Sequence, residues 1–324
     1  ARGRDYDLVH AHCISASSLG AVVGARLAGL PSLVKPSLGG REGELRKIVE
    51  SPAAGALLPV LRRVDRFAVM EPSIADELAG VGVARDRFAP VTNGVDLERF
   101  RPASPEERRS TRERFGLPSG PIALFVGQLV ERKGVGPLLE AWRTVRAGLP
   151  GVTLVFVGHG AEAGRVEREA GLDGSQVRFL GARDDAVEIM RASDALVLPS
   201  RNESFGNVVA EALACGLPVV VGRTGVAAAL DLEGVAGRFV EPDDPASIAS
   251  ALVEVFGTPG RGAALGARAR DLVRRFDFAT VAARYEEIYG EMIGVRGQGS
   301  GVRHHALPLP VDPVTTAPGS DPDP

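Results

Sequence analysis

Residues 199–222 read PSRNESFGNVVAEALACGLPVVVG. The segment leaves an apolar run at Pro199, crosses a polar loop, and enters a small-residue helix near Gly206. It returns through Gly216-Leu217-Pro218 to the β-branched run that follows. Strand, loop, helix and strand in this order are one βαβ step of a parallel sheet. Glu203 in the loop and Glu211 in the helix stand eight residues apart. Asn207 and Glu211 are four apart and share a helix face. Glu211 interrupts the run VVAEALACG, where a solvated face would carry more charge.

The same alternation extends in both directions. Candidate strands precede it at Leu8–His12, Ser32–Val34, Arg66–Met70, Phe88–Val91, Ile122–Val126, Thr153–Val157, Val177–Leu180 and Ala195–Leu198, and Pro218–Val221 and Arg238–Val240 follow. Runs such as IALFVG and TLVFVG are apolar on both faces, as parallel strands covered by helices on both sides require. Helix candidates between them include Gly136–Val145, Asp184–Ala192, Asn207–Ala214 and Pro245–Val255. A repeating βα pattern predicts doubly wound α/β sheets, which bind ligands at the carboxyl ends of their strands.

The chain has 324 residues, enough for about two domains. The stretch RPASPEERRSTRERFGLPSG, residues 101–120, is rich in Pro, Ser and charge and reads as the connection between them. The predicted division is an incomplete N-terminal Rossmann-like domain over residues 1–104 and a C-terminal Rossmann-like domain over 105–276. A helix over 277–293 packs back toward the first domain. Residues 294–324, with abundant Pro and Gly and no apolar period, are expected to be a disordered tail, in which His304 and His305 are incidental.

With 44% hydrophobic and 24% charged residues and a net charge of −3, the composition is that of a globular protein. This balance argues against nucleic acid as a partner. No run approaches the roughly 18 apolar residues of a membrane helix. Cys13 and Cys215 lack metal-ligand spacing and fit reduced thiols, so a cytoplasmic location is expected. Of 38 basic residues only three are lysines: Lys35, Lys47 and Lys133.

The residues around the two glutamates suit a sugar nucleotide. Backbone amides near Phe205, Gly206 and Asn207 would form a helix start, which attracts phosphate. A carboxylate one turn inside the helix can accept hydrogen bonds from vicinal ribose hydroxyls. A second carboxylate in the loop can accept them from a hexose. The spacing alone is also produced by a helix cap followed by an exposed glutamate.

ESFGNVVAEALACGLPVVV closely resembles the E-x7-E signature of the large GT-B glycosyltransferase family numbered four. FVGQLVERKGVGPLLEAW, VRFLGARDDAVEIMRASDALVLPS, VTNGVDLERFRP and YDLVHAHCIS resemble other parts of it, in order, across almost the whole chain apart from the tail. The resemblance implies two Rossmann-like domains facing across a cleft, and a retaining enzyme that moves a hexose from a UDP- or GDP-sugar to a lipid, polysaccharide or small-molecule acceptor. No cofactor is expected beyond the nucleotide-sugar donor, nor any metal. No Asp-x-Asp loop is present, and the pairs Asp184-Asp185 and Asp243-Asp244 fall at helix starts, where capping accounts for them. A lipid-linked acceptor would bring peripheral contact with the inner membrane face.

Carried over residue by residue, the resemblance gives Glu211 the donor ribose and Glu203 the transferred hexose. Phe205, Gly206 and Asn207 would offer backbone amides to sugar and diphosphate. Lys133 would neutralise the leaving diphosphate, and Gly127 would let the backbone pass close to it. Gln128 stands where the family usually has arginine, so Lys133 or Arg132 would carry more of that charge. The base would lie near Gly181–Arg183. His12 would face the anomeric centre, with His10 deeper on the same strand face. Lys35 and the Gly39-Gly40-Arg41-Glu42 loop could meet either substrate.

The resemblance also implies that roughly three βα steps, on the order of 90 residues, precede YDLVHAH in a complete domain of this kind. The 324-residue chain alone is therefore expected to be poorly soluble or inactive, while its C-terminal domain could still bind nucleotide. Two other readings stay open: a nucleotide-sugar-binding remnant without turnover, and another GT-B enzyme such as a nucleotide-sugar epimerase. A phosphorylase is disfavoured, because so few lysines leave no apparent pyridoxal anchor.

Overall fold

The computed structural model describes residues 6–40, 43–230, 232–258 and 260–294. Arg41, Glu42 and the proposed tail, with His304 and His305, lie outside the described residues. Two parallel sheets form the framework. The first contains β1 (Val9–His12), β2 (Ser32–Lys35), β3 (Arg66–Val69) and β4 (Phe88–Pro90), side by side in chain order. The register sets His12 opposite Lys35. The second contains β5 (Ile122–Val126), β6 (Thr153–Val157), β7 (Val177–Phe179), β8 (Ala195–Leu198), β9 (Val219–Gly222) and β10 (Gly237–Val240).

The six-stranded order is β10-β9-β8-β5-β6-β7. Strand order reverses between β5 and β8, so the loops leaving their carboxyl ends diverge and open a crevice. The strands meet this geometry through composition. Leu124, Phe125, Leu154, Val155, Phe156, Leu196 and Val197 are fully buried, since helices cover both faces. Trp142 fills the space beneath and donates its indole N–H to the Ser175 carbonyl at 3.1 Å.

The helix Pro105–Arg114, inside the charged connecting stretch, docks on the second domain. Ser104 and Glu107 close a capping box at its start. Arg108 and Arg112 donate to the two carboxylate oxygens of Asp194 at 2.6 and 2.8 Å. Asp194 also accepts from the Ile122 amide at 2.8 Å, fastening this helix to the first residue of β5.

Two chain segments cross between the domains, and they run together. The Val95 amide donates to the Phe276 carbonyl at 2.8 Å, and the Phe278 amide donates to the Val95 carbonyl at 3.0 Å. Beyond this crossing the helix Phe278–Ile293 lies on the first sheet, where Val281 and Ile288 pack with Leu33, Ala68 and Val91. Arg270 secures the crossing by donating to the carbonyls of Leu97, Phe100 and Ala214. The last of these is an orphan carbonyl at the end of the helix that carries Glu211.

Candidate functional site

The crevice between β5 and β8 is built largely from backbone packed on backbone. Gly134 has φ +73°, and a Cβ there would lie 2.2 Å from the Pro199 carbonyl oxygen. Only glycine lets the Lys133 turn press against the loop that leaves β8. The Arg201 amide donates to the Arg132 carbonyl at 2.9 Å and joins the two loops. This packing brings Lys133 onto Glu203 as an ion pair, with each side chain 13% exposed. Gly127 and Gly158 meet in the same way: a Cβ on Gly158 would sit 1.8 Å from the Gly127 carbonyl oxygen.

The helix Asn207–Ala214 starts beside this pair. Its N-cap, Gly206, has left-handed backbone and no side chain caps it. Its first turn is therefore open to an anion. The Phe205 ring is buried edge-on against Phe276 at 5.5 Å, which pins the helix start to the domain crossing. The Val226 amide donates to the Phe205 carbonyl at 2.7 Å from the other side.

A cavity of about 1050 Å³ lies between the two sheets. Lys133, Glu203, Phe205, Gly206 and Asn207 line its C-terminal wall, and His10, His12 and Lys35 line the opposite one. The rings of His10 and His12 stack at 4.5 Å. His10 holds the Tyr289 hydroxyl at 2.7 Å through Nδ1. Its pKa is pushed down to about 4, first by burial and then by the neighbouring His12 and Lys35 charges. His12 is shifted down in the same sense, by burial and then Lys35. Both shifts favour the neutral ring.

The remaining residues of the expected donor site lie elsewhere. Glu211 does not line the cavity. It is largely buried, and burial raises its pKa against the opposing charge of Arg99. Arg99 lines a second cleft of about 640 Å³ together with Arg183. Arg183 is held by Asp185 in a two-point contact of 2.7 and 2.9 Å and lies over the Phe115 ring at 4.7 Å. Gln128 is exposed and Gly127 half-buried at the end of β5; neither lines the large cavity. Contrary to expectation, capping does not account for Asp185. Asp185 occupies the N-cap position of Ala186–Arg191 but caps no amide, because Arg183 and Arg114 draw its carboxylate away. Asp244 does cap, accepting from the Ala246 amide at 2.9 Å.

Several residues of the site went unassigned in the sequence. Asn93 accepts from the Lys35 ammonium and donates to the Asn207 side chain at 2.8 Å, joining the two walls. Asn202 reaches the Gly39 carbonyl at 3.1 Å. Glu71, at the N-cap of the helix Pro72–Gly80 that follows β3, has a pKa pushed up to about 7, chiefly by burial and further by the Glu77 and Glu203 carboxylates. The Ser73 hydroxyl donates to it and opposes that rise. The only signal for Asn93 was the turn-forming Asn-Gly pair in VTNGVD. Among the described residues no group of three or more His, Cys, Asp or Glu side chains could hold a metal ion. No helix among them is long and apolar enough to cross a membrane.

Two Rossmann-like α/β domains facing across a cleft, the N-terminal one smaller, are the GT-B architecture. Residues 120–257 match the family described as glycosyl transferases group 1, and residues 1–94 match a glycosyl transferase 4-like domain. The chain belongs to this glycosyltransferase family. It is 31% identical over 309 residues to "D-inositol 3-phosphate glycosyltransferase 2" of Catenulispora acidiphila, covering 89% of this chain and 71% of that protein. It is 31% identical over 279 residues to the "D-inositol 3-phosphate glycosyltransferase" of Corynebacterium urealyticum, covering 82% of this chain and 64% of that protein. The chain thus spans less than two thirds of the length of the Corynebacterium relative. Among solved structures, Anabaena HepE in complex with UDP and glucose superposes with a TM-score of 0.75 at 22% identity, covering 88% of this chain and 77% of that one.

Proposed function

We propose that this chain binds a nucleotide-sugar at the β5/β8 crevice and, in the whole protein, transfers the hexose with retention of configuration to an acceptor held against the first sheet. The observation that carries this reading is the Lys133–Glu203 pair beside the uncapped start of Asn207–Ala214. A diphosphate at that point meets an ammonium group and free helix-end amides. As the bond from C1 to the diphosphate oxygen breaks, negative charge grows on the leaving group, and these fixed donors stabilise it. The acceptor hydroxyl then bonds to C1 and passes its proton to the departing diphosphate, whose oxygen holds the electron pair of the broken bond. This arrangement supplies from the protein the positive charge that a divalent ion supplies elsewhere.

In this reading Glu203 exchanges Lys133 for hexose hydroxyls when donor arrives. Glu211 takes the ribose, and the base extends toward the cleft of Arg99 and Arg183. His12, on the far wall, contacts the transferred sugar. The relatives' names favour a phosphorylated cyclitol as acceptor. The protein would work in the cytoplasm, where sugar nucleotides are available, and would touch a membrane if its acceptor is lipid-linked. A thermal-shift series with UDP, GDP, ADP and their common sugars tests the donor reading, since a bound ligand stabilises the folded state. One nucleotide should raise the melting temperature of the chain and fail to do so in Glu211→Ala. No shift with any of them would refute a donor site at this crevice.

A further inference from the structure

Tyr289 lies near the carboxyl end of the helix Phe278–Ile293, 279 positions from His10 in sequence. Its hydroxyl meets His10 Nδ1 at 2.7 Å, and its ring stands edge-on to the imidazole at 5.8 Å. The Tyr285 ring, one turn earlier on the same helix face, lies 5.4 Å from the same imidazole. Both tyrosines pack against the cluster of Leu33, Ala68, Val91, Val281 and Ile288 that seats the helix on the first sheet. Their hydroxyls differ. That of Tyr289 is bonded to His10, whereas that of Tyr285 is buried without a partner among the described residues.

His12 rests on His10 in turn. The two side chains leave β1 on the same face, and their rings stack at 4.5 Å with 26° between planes. His12 is exposed at the strand end. Among the described residues its side chain forms no hydrogen bond and no second ring contact. A side chain held by one ring contact keeps its orientation only as well as that contact is fixed. The second torsion of a histidine is broad when left to itself. The bond from Tyr289 sets it for His10, and so sets the plane on which His12 lies. Phe276, two residues before the helix, meets Phe205 at 5.5 Å beside Asn207–Ala214. One helix is thus anchored near the donor-side wall at its start and holds the histidine wall three turns later.

We propose that Tyr289 is a positioning residue: through His10 it holds the His12 ring in the orientation that meets the transferred sugar. The proposal rests on the reading that His12 faces that sugar, and adds which residue aims it. Two tyrosines with similar ring contacts and different hydroxyls separate aiming from packing. If the aromatic stack served packing alone, neither hydroxyl would bear on recognition of the sugar.

Calorimetry on the full chain tests this with UDP against UDP-glucose and GDP against GDP-mannose. For the pair that binds, Tyr289→Phe should lower the affinity for the sugar nucleotide relative to the free diphosphate about fivefold. Affinity for the free diphosphate should stay the same. Tyr285→Phe should leave the ratio where it is in wild type. In a His12→Ala background, Tyr289→Phe should change the ratio no further, because a residue acting through another loses its effect when that one is gone. Melting temperatures check that each variant is folded. An unchanged ratio in Tyr289→Phe, or a full further loss in the His12→Ala background, would overturn the proposal. Histidine side-chain nitrogen NMR tests the link without ligand. Tyr289→Phe should move the His12 ring nitrogens and Tyr285→Phe should leave them in place; His12 unmoved in Tyr289→Phe would overturn the proposal as well. If none of the four ligands binds, the donor reading fails, and the spectrum alone decides whether Tyr289 aims His12.

Discussion

The Asn93 side-chain amide donates to the Asn207 side chain at 2.8 Å, across the gap between the two domains. Asn93 also accepts from Lys35, so a single residue from the domain crossing links the first sheet to the start of the Glu211 helix. Replacing Asn93 by Ala should cost roughly 0.5–1.5 kcal/mol per hydrogen bond lost, read by urea unfolding. It should also weaken UDP binding, because Asn207 loses its positioning partner. Unchanged UDP affinity would confine Asn93 to a purely structural role.

Lys133 and Glu203 are partners before any donor arrives. Lys133→Ala and Glu203→Ala should therefore show coupled effects on stability in a double-mutant cycle without ligand. Saturating UDP should shrink that coupling, since the diphosphate takes over the ammonium. Coupling of the same size with and without UDP would mean that nucleotide does not reach Lys133.

Glu71 and His10 give stability opposite dependences on pH. The Glu71 pKa is raised to about 7, so the folded state takes up a proton before the unfolded chain does. Its ionisation penalises the folded state above pH 7, and stability recovers as pH falls from about 7 toward the ordinary glutamate range. The His10 pKa is lowered to about 4, so the unfolded chain binds its proton first. Stability from His10 is lost as pH falls from about 6.5 to 4. Unfolding free energies measured from pH 8 to 4 should lose the rise near neutrality in Glu71→Gln. They should lose part of the acidic fall in His10→Gln. Wild-type curvature persisting in both variants would remove these two groups as its source.

Gly134 and Gly174 both have left-handed backbone, at φ +73° and +66°, yet only Gly134 faces a close carbonyl. Alanine at 134 should cost more than alanine at 174, by roughly 1–3 kcal/mol of overpacking. It should also displace Lys133 and lower UDP affinity, measured by calorimetry. Equal costs at the two positions would show that the β8 loop gives way easily.

Glu211→Gln keeps the shape of the side chain and removes its charge. UDP binding to Glu211→Gln should lose roughly 1–3 kcal/mol if two ribose hydroxyls donate to the carboxylate. Burial already raises the Glu211 pKa, so wild-type UDP affinity should also fall as the solution is acidified toward that pKa. A pH-independent affinity equal in both forms would take Glu211 out of the ribose site.

Much of the second domain was legible in the sequence. Ile122–Val126, Thr153–Val157, Ala195–Leu198 and the helix Asn207–Ala214 have the ends that composition predicts, because Gly, Pro or polar residues bound each apolar run. Asp184–Ala192 was read too long, since Asp185 turns back to Arg183 and does not cap the helix. Helices of the first domain such as Ala16–Leu27 were not read, as their small residues give a weak apolar stripe. The site was legible only in part. Lys133 and Glu203 were singled out, but not their pairing across seventy positions of sequence, because charge-to-charge contact is decided by docking of loops. Asn93 and Glu71 acquire their roles only when two domains close on them.

Gly134 packs on Pro199 beside the β5/β8 crevice, and Gly158 packs on Gly127 at the neighbouring β5/β6 ends, main chain on main chain in both places. These contacts leave mutation little room, since a substituent on Gly134 or Gly158 collides with a carbonyl oxygen. If this crevice holds the donor as proposed, preference among sugars and bases would be set on the rim, in residues such as Gln128, Asn202 and Arg183. Engineering of donor choice in this protein should begin at those positions, and the glycines beneath them should be left alone.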